Sequence, residues 1–151
     1  MMIDSMRNFI AEYCKENKEL LMKNDIQGFY DKSYDDNGSS FTQFITEFFF
    51  ENGVDPLKYF KDTIPIYYAY ESNYYTNIVI PEGIKSVLMS SFARSNTIKT
   101  VRFPSTINHI NPRALEDCPN LDTVFFPESF KPEVERKKLK ERWGNPKIVY
   151  Y

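Results

Sequence analysis

IVIPEGIKSVLMSSFARSNTIKT, residues 78–100, runs directly into VRFPSTINHINPRALEDCPNLDT, residues 101–123. The second stretch repeats the first in the same order. Pro81, Pro104 and Pro127 stand 23 residues apart, as do Ile78, Val101 and Val124, and Ile80, Phe103 and Phe126. Ile84, Ile107 and Phe130 keep this step, as do Val87 and Ile110. Phe92 maps on Leu115, Ser95 on Cys118 and Ile98 on Leu121. Tyr75 precedes Ile98 by the same interval, so IPIYYAYESNYYTN, residues 64–77, reads as a partial opening unit.

A short strand with one apolar row cannot form a core alone. A copy stacked beside it hides that row and pairs the strand edge. The run from Ile98 to Pro104 alternates as a strand does, with Val101 and Phe103 inward and Thr100 and Arg102 outward. Proline ends each strand because it has no N–H for the ladder. A turn then leads to a second apolar anchor, Ile84 and Val87 in one unit, Ile107 and Ile110 in the next. The SSFARSNTI and RALEDCPNL segments are expected to return the chain along the convex side as a helical turn.

The pattern resembles the BspA-like leucine-rich repeat family. Residues 101–123 carry the resemblance through Val101, Phe103, Pro104, Ile107, Ile110, Ala114, Leu115, Cys118, Leu121 and Thr123. Residues 78–100 depart from it at Ser91 and Ser95, small residues for small residues, and the opening unit puts Ala69 at the aromatic position. TEFFFENGVDPLKYFKDTIP, residues 46–65, looks like the helical lead-in of short, phage-borne members. The resemblance implies a curved parallel stack used for protein binding, with no catalysis. For a phage-type member it implies a binder or inhibitor of a host protein, in the host cytoplasm.

The first half has helical periodicity. Met6, Phe9, Ile10, Tyr13 and Cys14 predict a helix over 5–22 capped by Asp4 or Ser5. Ile26, Phe29 and Tyr30 predict a short second helix, and the polar run DKSYDDNGSS (31–40) reads as a loop. Phe41, Phe44, Ile45, Phe48 and Phe49 predict a helix capped by Ser39 or Ser40 and stopped at Asn52-Gly53. Asp55-Pro56 opens another helical turn, with Leu57 and Phe60 inward. These aromatic stripes read as core. After the repeats, residues 131–143 predict a charged helix with Val134, Leu139 and Trp143 as apolar positions, and Lys147–Tyr151 a closing strand. The expected fold class is α+β. A helical N-terminal domain, residues 1–62, caps a short repeat solenoid with a small parallel sheet and a C-terminal helix-strand cap, residues 63–151.

Chemistry finds little support. The chain of 151 residues holds 19 basic and 21 acidic side chains, a balance that creates no field for nucleic acid. The basic run Arg136–Arg142 is interrupted by Glu141 and preceded by Glu133 and Glu135, so it reads as a solvated helix face. One histidine, His109, and two distant cysteines, Cys14 and Cys118, do not compose an ordinary zinc site. Asp35 and Asp36 lack the spacing of a calcium loop. No catalytic residue, cofactor or metal is expected. The charged N-terminal stretch has no apolar core of a signal peptide, and a cytoplasmic protein without a membrane span is expected.

The outward columns of the repeat are the expected binding face. Val79, Arg102 and Phe125 form one, Asn77, Thr100 and Thr123 a second, and Thr76, Lys99 and Asp122 a third. Exposed Arg and aromatic side chains are enriched at binding hot spots, which singles out Arg102 and Phe125. With strands ~4.8 Å apart the face covers on the order of 300 Å². A standard interface takes roughly 800 Å² per partner. The helical domain, the 31–40 segment or self-association must therefore add contact. The partner is expected to be a protein; a homo-oligomeric structural or virion component is the alternative.

Overall fold

A computed structural model describes residues 2–151. The helices come first: α1 (Asp4–Glu16), α2 (Lys18–Met22), α3 (Ile26–Asn37) and α4 (Thr42–Glu51). Seven short strands follow: β1 (Thr63–Ile64), β2 (Asn77–Val79), β3 (Ser86–Val87), β4 (Thr100–Arg102), β5 (His109–Ile110), β6 (Thr123–Phe126) and β7 (Lys147–Tyr150). Two further helices, α5 (Lys131–Arg136) and α6 (Leu139–Arg142), lie between β6 and β7.

The strands form two sheets, with order β1-β3-β5 and β2-β4-β6-β7, and every pairing is parallel. Each repeat thus contributes two strands. The second apolar anchor is itself a strand, which places Ile64, Val87 and Ile110 in one fully buried column. The register follows the repeat: Ile78 faces Val101 and Val101 faces Val124. The three prolines are therefore level with one another, each just past its strand. Each also makes the same turn: Ile84 N–H bonds Pro81 O, Ile107 bonds Pro104 O and Phe130 bonds Pro127 O, at 3.3, 3.1 and 2.9 Å.

The returning segments are turns rather than helix. Their backbone enters the left-handed region at Glu71, Arg94 and Asp117, again one repeat apart. N–H groups from one turn bond carbonyls of the next: Ala69 to Ser91, Glu71 to Ala93, Phe92 to Ala114 and Arg94 to Glu116. The opening unit keeps this geometry despite Ala69, because Tyr68 fills the aromatic space, fully buried, with its ring 5.8 Å from Phe92.

Several local expectations need correction. Helix 5–22 breaks at Asn17, whose side chain bonds Tyr13 O, and Asp4 pairs with Arg7 instead of capping. Phe9 remains 48% exposed. Helix α3 runs through most of the segment read as a loop. Asp25 caps it through Gly28 N, the Lys32–Asp36 pair brackets one turn, and Tyr13 Oη donates to Asp36 at 2.7 Å. The polar run is thus a solvated helix face, and only Gly38, at φ 82°, ends it. Neither Ser39 nor Ser40 caps α4; a tight helical turn at Ser39–Phe41 leads into it. Residues 131–143 form two short helices because Lys138 is left-handed.

One apolar cluster extends from Met2 to Trp143 through helices and repeats. Phe103 and Phe126 stack with centroids 5.0 Å apart and planes 1° apart, and Trp143 lies 6.1 Å from both. Where β1 begins, Gln27 Oε1 accepts three successive backbone N–H groups, from Lys61, Asp62 and Thr63, at 2.9–3.1 Å. Its Nε2 donates to Asp62 at 2.8 Å. Where β5 ends, Lys137 Nζ donates to Ile110 O and Trp143 Nε1 to Pro112 O.

Gln27→Ala leaves three N–H groups to water and should cost about 1–3 kcal/mol in denaturant unfolding; an unchanged midpoint would show that solvent replaces the amide fully. Gln27 and then Thr63 hold the Asp62 carboxyl below its ordinary range. Its contribution is present above the unfolded carboxylate range and lost as pH falls through the folded value. The acid limb of stability against pH should therefore be shallower in Gln27→Ala than in wild type. At the left-handed Asp117, replacement by Gly should stay within about 0.5 kcal/mol of wild type, whereas Val should cost about 1–2 kcal/mol. Equal Tm values for the two variants would contradict the assigned backbone.

Candidate protein-interaction face

The outward face of the four-stranded sheet is built by strand alternation. Ile78, Val101, Val124, Ile80, Phe103 and Phe126 point inward and are buried, so their neighbours must point out. Backbone register lines these up as Val79–Arg102–Phe125–Val149 and as Asn77–Thr100–Thr123–Lys147. The first two expected columns are thus brought side by side, and β7 adds Val149 and Lys147. Thr76, Lys99 and Asp122 lie at the bend before the strands. There Thr76 O takes the N–H groups of Lys99 and Thr100, and Lys99 O takes those of Asp122 and Thr123. Their side chains are exposed or partly so beside the sheet rather than in its alternating rows.

Val79 is 67% exposed, a large share for a β-branched apolar residue. Phe125 is half-buried between Arg102 and Val149. Arg102 is not free: its guanidinium lies 3.9 Å above the Tyr151 ring. Tyr151 reaches across the β6 rung, donates its hydroxyl to Phe103 O, and is itself pinned by Tyr151 N to Phe126 O and Glu128 N to Tyr151 O. The second column is tied by Thr100 Oγ1 donating to Asn77 Oδ1 at 2.8 Å.

The repeat pattern does not reveal Tyr151, Val149 and Lys147 as members of this face. The step from Thr123 to Lys147 is 24 residues, and two helices intervene, so the period does not reach them. The apolar run after Lys147 marks a strand, but only pairing gives its register.

Other candidates resolve into packing and solvent exposure. Cys118 is buried with its thiol directed at Phe92 O, 3.3 Å away, and burial pushes its proton affinity up. Burial also raises the Cys14 thiol to about 11. His109 sits on β5 with its surface exposed, and partial desolvation of its ring and then the Lys137 ammonium hold its pKa below the usual imidazole value. Among the described residues there is no cluster of three potential metal ligands, and no helix is long and apolar enough to cross a membrane. Two open polar hollows of about 630 Å³ each meet at Glu71, Arg94 and Asn96 along the turns.

Residues 62–134 match the family described as BspA type Leucine rich repeat region (6 copies). They are a BspA-type leucine-rich repeat region. The match begins at the backbone bonded by Gln27 and ends inside α5, so it takes in the opening unit that Tyr68 completes. No curated protein and no solved structure matches the chain. A BspA-type repeat region is generally a protein-interaction module and typically a non-enzymatic scaffold.

Tyr151→Ala removes both the surface on which Arg102 rests and the hydroxyl bond to Phe103. It should lower stability by about 1–2 kcal/mol and raise amide exchange along β7. Wild-type exchange in β7 would contradict the pinning described here.

Proposed function

We propose that the chain is a non-enzymatic recognition module that meets a protein partner through the outward face of its four-stranded sheet. Val79, Arg102 and Phe125 are the contact centre, Asn77, Thr100 and Thr123 the second row, and Lys99 and Asp122 the margin. The observation that carries this reading is the Arg102–Tyr151 stack. A guanidinium held in place before binding loses less side-chain freedom on binding, and Arg and Tyr are over-represented among hot spots. The helical segment, residues 1–62, serves on this reading as the cap of the solenoid formed by residues 63–151, and a tight complex needs contact beyond the sheet face. No cofactor, metal or nucleic acid enters.

The resemblance of residues 46–65 to short phage-borne members supports a finer setting, a phage-encoded binder or inhibitor of a host protein in the host cytoplasm. A second reading, a self-associating assembly protein, draws on the two outer strands β2 and β7, each of which pairs on one side only. Such edges join head to tail. Sedimentation over a range of concentrations separates the two readings, since a persistent monomer removes assembly.

Pull-down from host lysate should recover a partner with wild type and with Arg113→Glu, and lose it with Arg102→Glu/Phe125→Ala. Equal recovery by the double variant would remove the sheet face from the interaction.

A further inference from the structure

A smaller hollow of about 290 Å³ lies between α3 and the first rung and shares no residue with the sheet columns. Its walls are largely apolar: Tyr30 and Tyr34 from α3, Pro65 and Ile66 after β1, and Leu88 after β3. Tyr34 is 47% exposed, so much of its ring is left uncovered in a hollow that it lines. Two carboxylates, Asp31 and Asp35, stand in the same lining and are themselves exposed, which puts them at its mouth.

The other carboxylates of this region are already engaged. Asp25 caps α3, Asp36 takes Lys32 and Tyr13, and Asp62 takes Gln27 and Thr63. Asp31 and Asp35 make no ion pair among the described residues. Partial desolvation beside the hollow, and then the carboxylates of Asp25, Asp35 and Asp62, raise the proton affinity of Asp31 although its surface stays exposed. The hollow thus combines uncovered aromatic and aliphatic surface with negative charge that has no ion-pair partner among the described residues.

Arginine is the side chain that meets both halves of this description. Its guanidinium is planar, weakly hydrated, stacks on aromatic rings and bonds carboxylates in pairs, whereas the lysine ammonium is compact and strongly hydrated. The volume lies just below the small end of ligand pockets, roughly 300–1,000 Å³, which suits one side chain. We propose that this hollow receives an arginine side chain of a partner protein, with the guanidinium at Asp31 and Asp35 and the methylene stem along Tyr34, Ile66 and Leu88. The proposal is independent of the sheet face, and either can fail without the other.

The test is an amide-resolved NMR titration of the full chain with N-acetyl-arginine amide, N-acetyl-lysine amide and N-acetyl-citrulline amide, the last an uncharged isostere of arginine. The arginine probe should shift the amides of Tyr34, Ile66 and Leu88 saturably. Citrulline should bind about tenfold more weakly or not at all, and Asp31→Asn/Asp35→Asn should weaken the arginine probe by about tenfold. Absence of saturable shifts up to the solubility limit of the arginine probe overturns the pocket. Citrulline equal to arginine, or wild-type affinity in a folded double variant, overturns the role of the carboxylates. Lysine binding as tightly as arginine overturns the choice of guanidinium.

Discussion

Parallel strands of two to four residues cannot be satisfied within their own unit; each needs a neighbour at the same height. In this chain the neighbour comes one repeat later, and the joint is made the same way each time. Asp62 O takes the N–H groups of Lys85 and Ser86, and Lys85 O those of Asn108 and His109. Thr76 O takes Lys99 and Thr100, and Lys99 O takes Asp122 and Thr123. Apolar columns, level prolines and left-handed turns all follow from holding these joints in register. Burying Val87 or Val101 completely is possible only because a copy stands on either side.

A ladder built this way has ends, and polar groups from outside the repeat meet them. Gln27 supplies an acceptor to the N–H groups leading into β1, while Lys137 and Trp143 supply donors to carbonyls at and just beyond β5. An amide oxygen accepts the N–H groups leading into β1, and an ammonium and an indole N–H donate to the carbonyls of Ile110 and Pro112.

Within the repeats the side chains are packed inward or turned to solvent. The inward positions are filled by Ile, Val and Phe, the one thiol in a repeat is buried against a carbonyl, and the histidine faces solvent beside a lysine. What the ladder presents to solvent is the outward surface, and some of its side chains also brace the strands. There Tyr151 orders Arg102, and on another side α3 carries, at an apolar hollow, two carboxylates that make no ion pair among the described residues.

The repeat is legible because period and burial are locked together. A step of 23 in the sequence is a step of one rung in space, so alternation alone assigns Val101 and Phe103 to the inside and Arg102 to the outside. The polar segment 31–37 is not legible as helix. Its support comes from Tyr13, which lies far off in sequence and leaves no apolar signal within the segment. The place of Tyr151 over Arg102 and the grip of Gln27 on the first strand are likewise beyond the reach of pattern, since each joins residues whose separation obeys no period. Sequence alone determined the rungs, their facing and their spacing, because repetition encodes local geometry directly. Tertiary structure decided that each repeat holds a second strand and which polar groups meet the first and last of those strands, because these depend on strand pairing and on single contacts between distant parts of the chain.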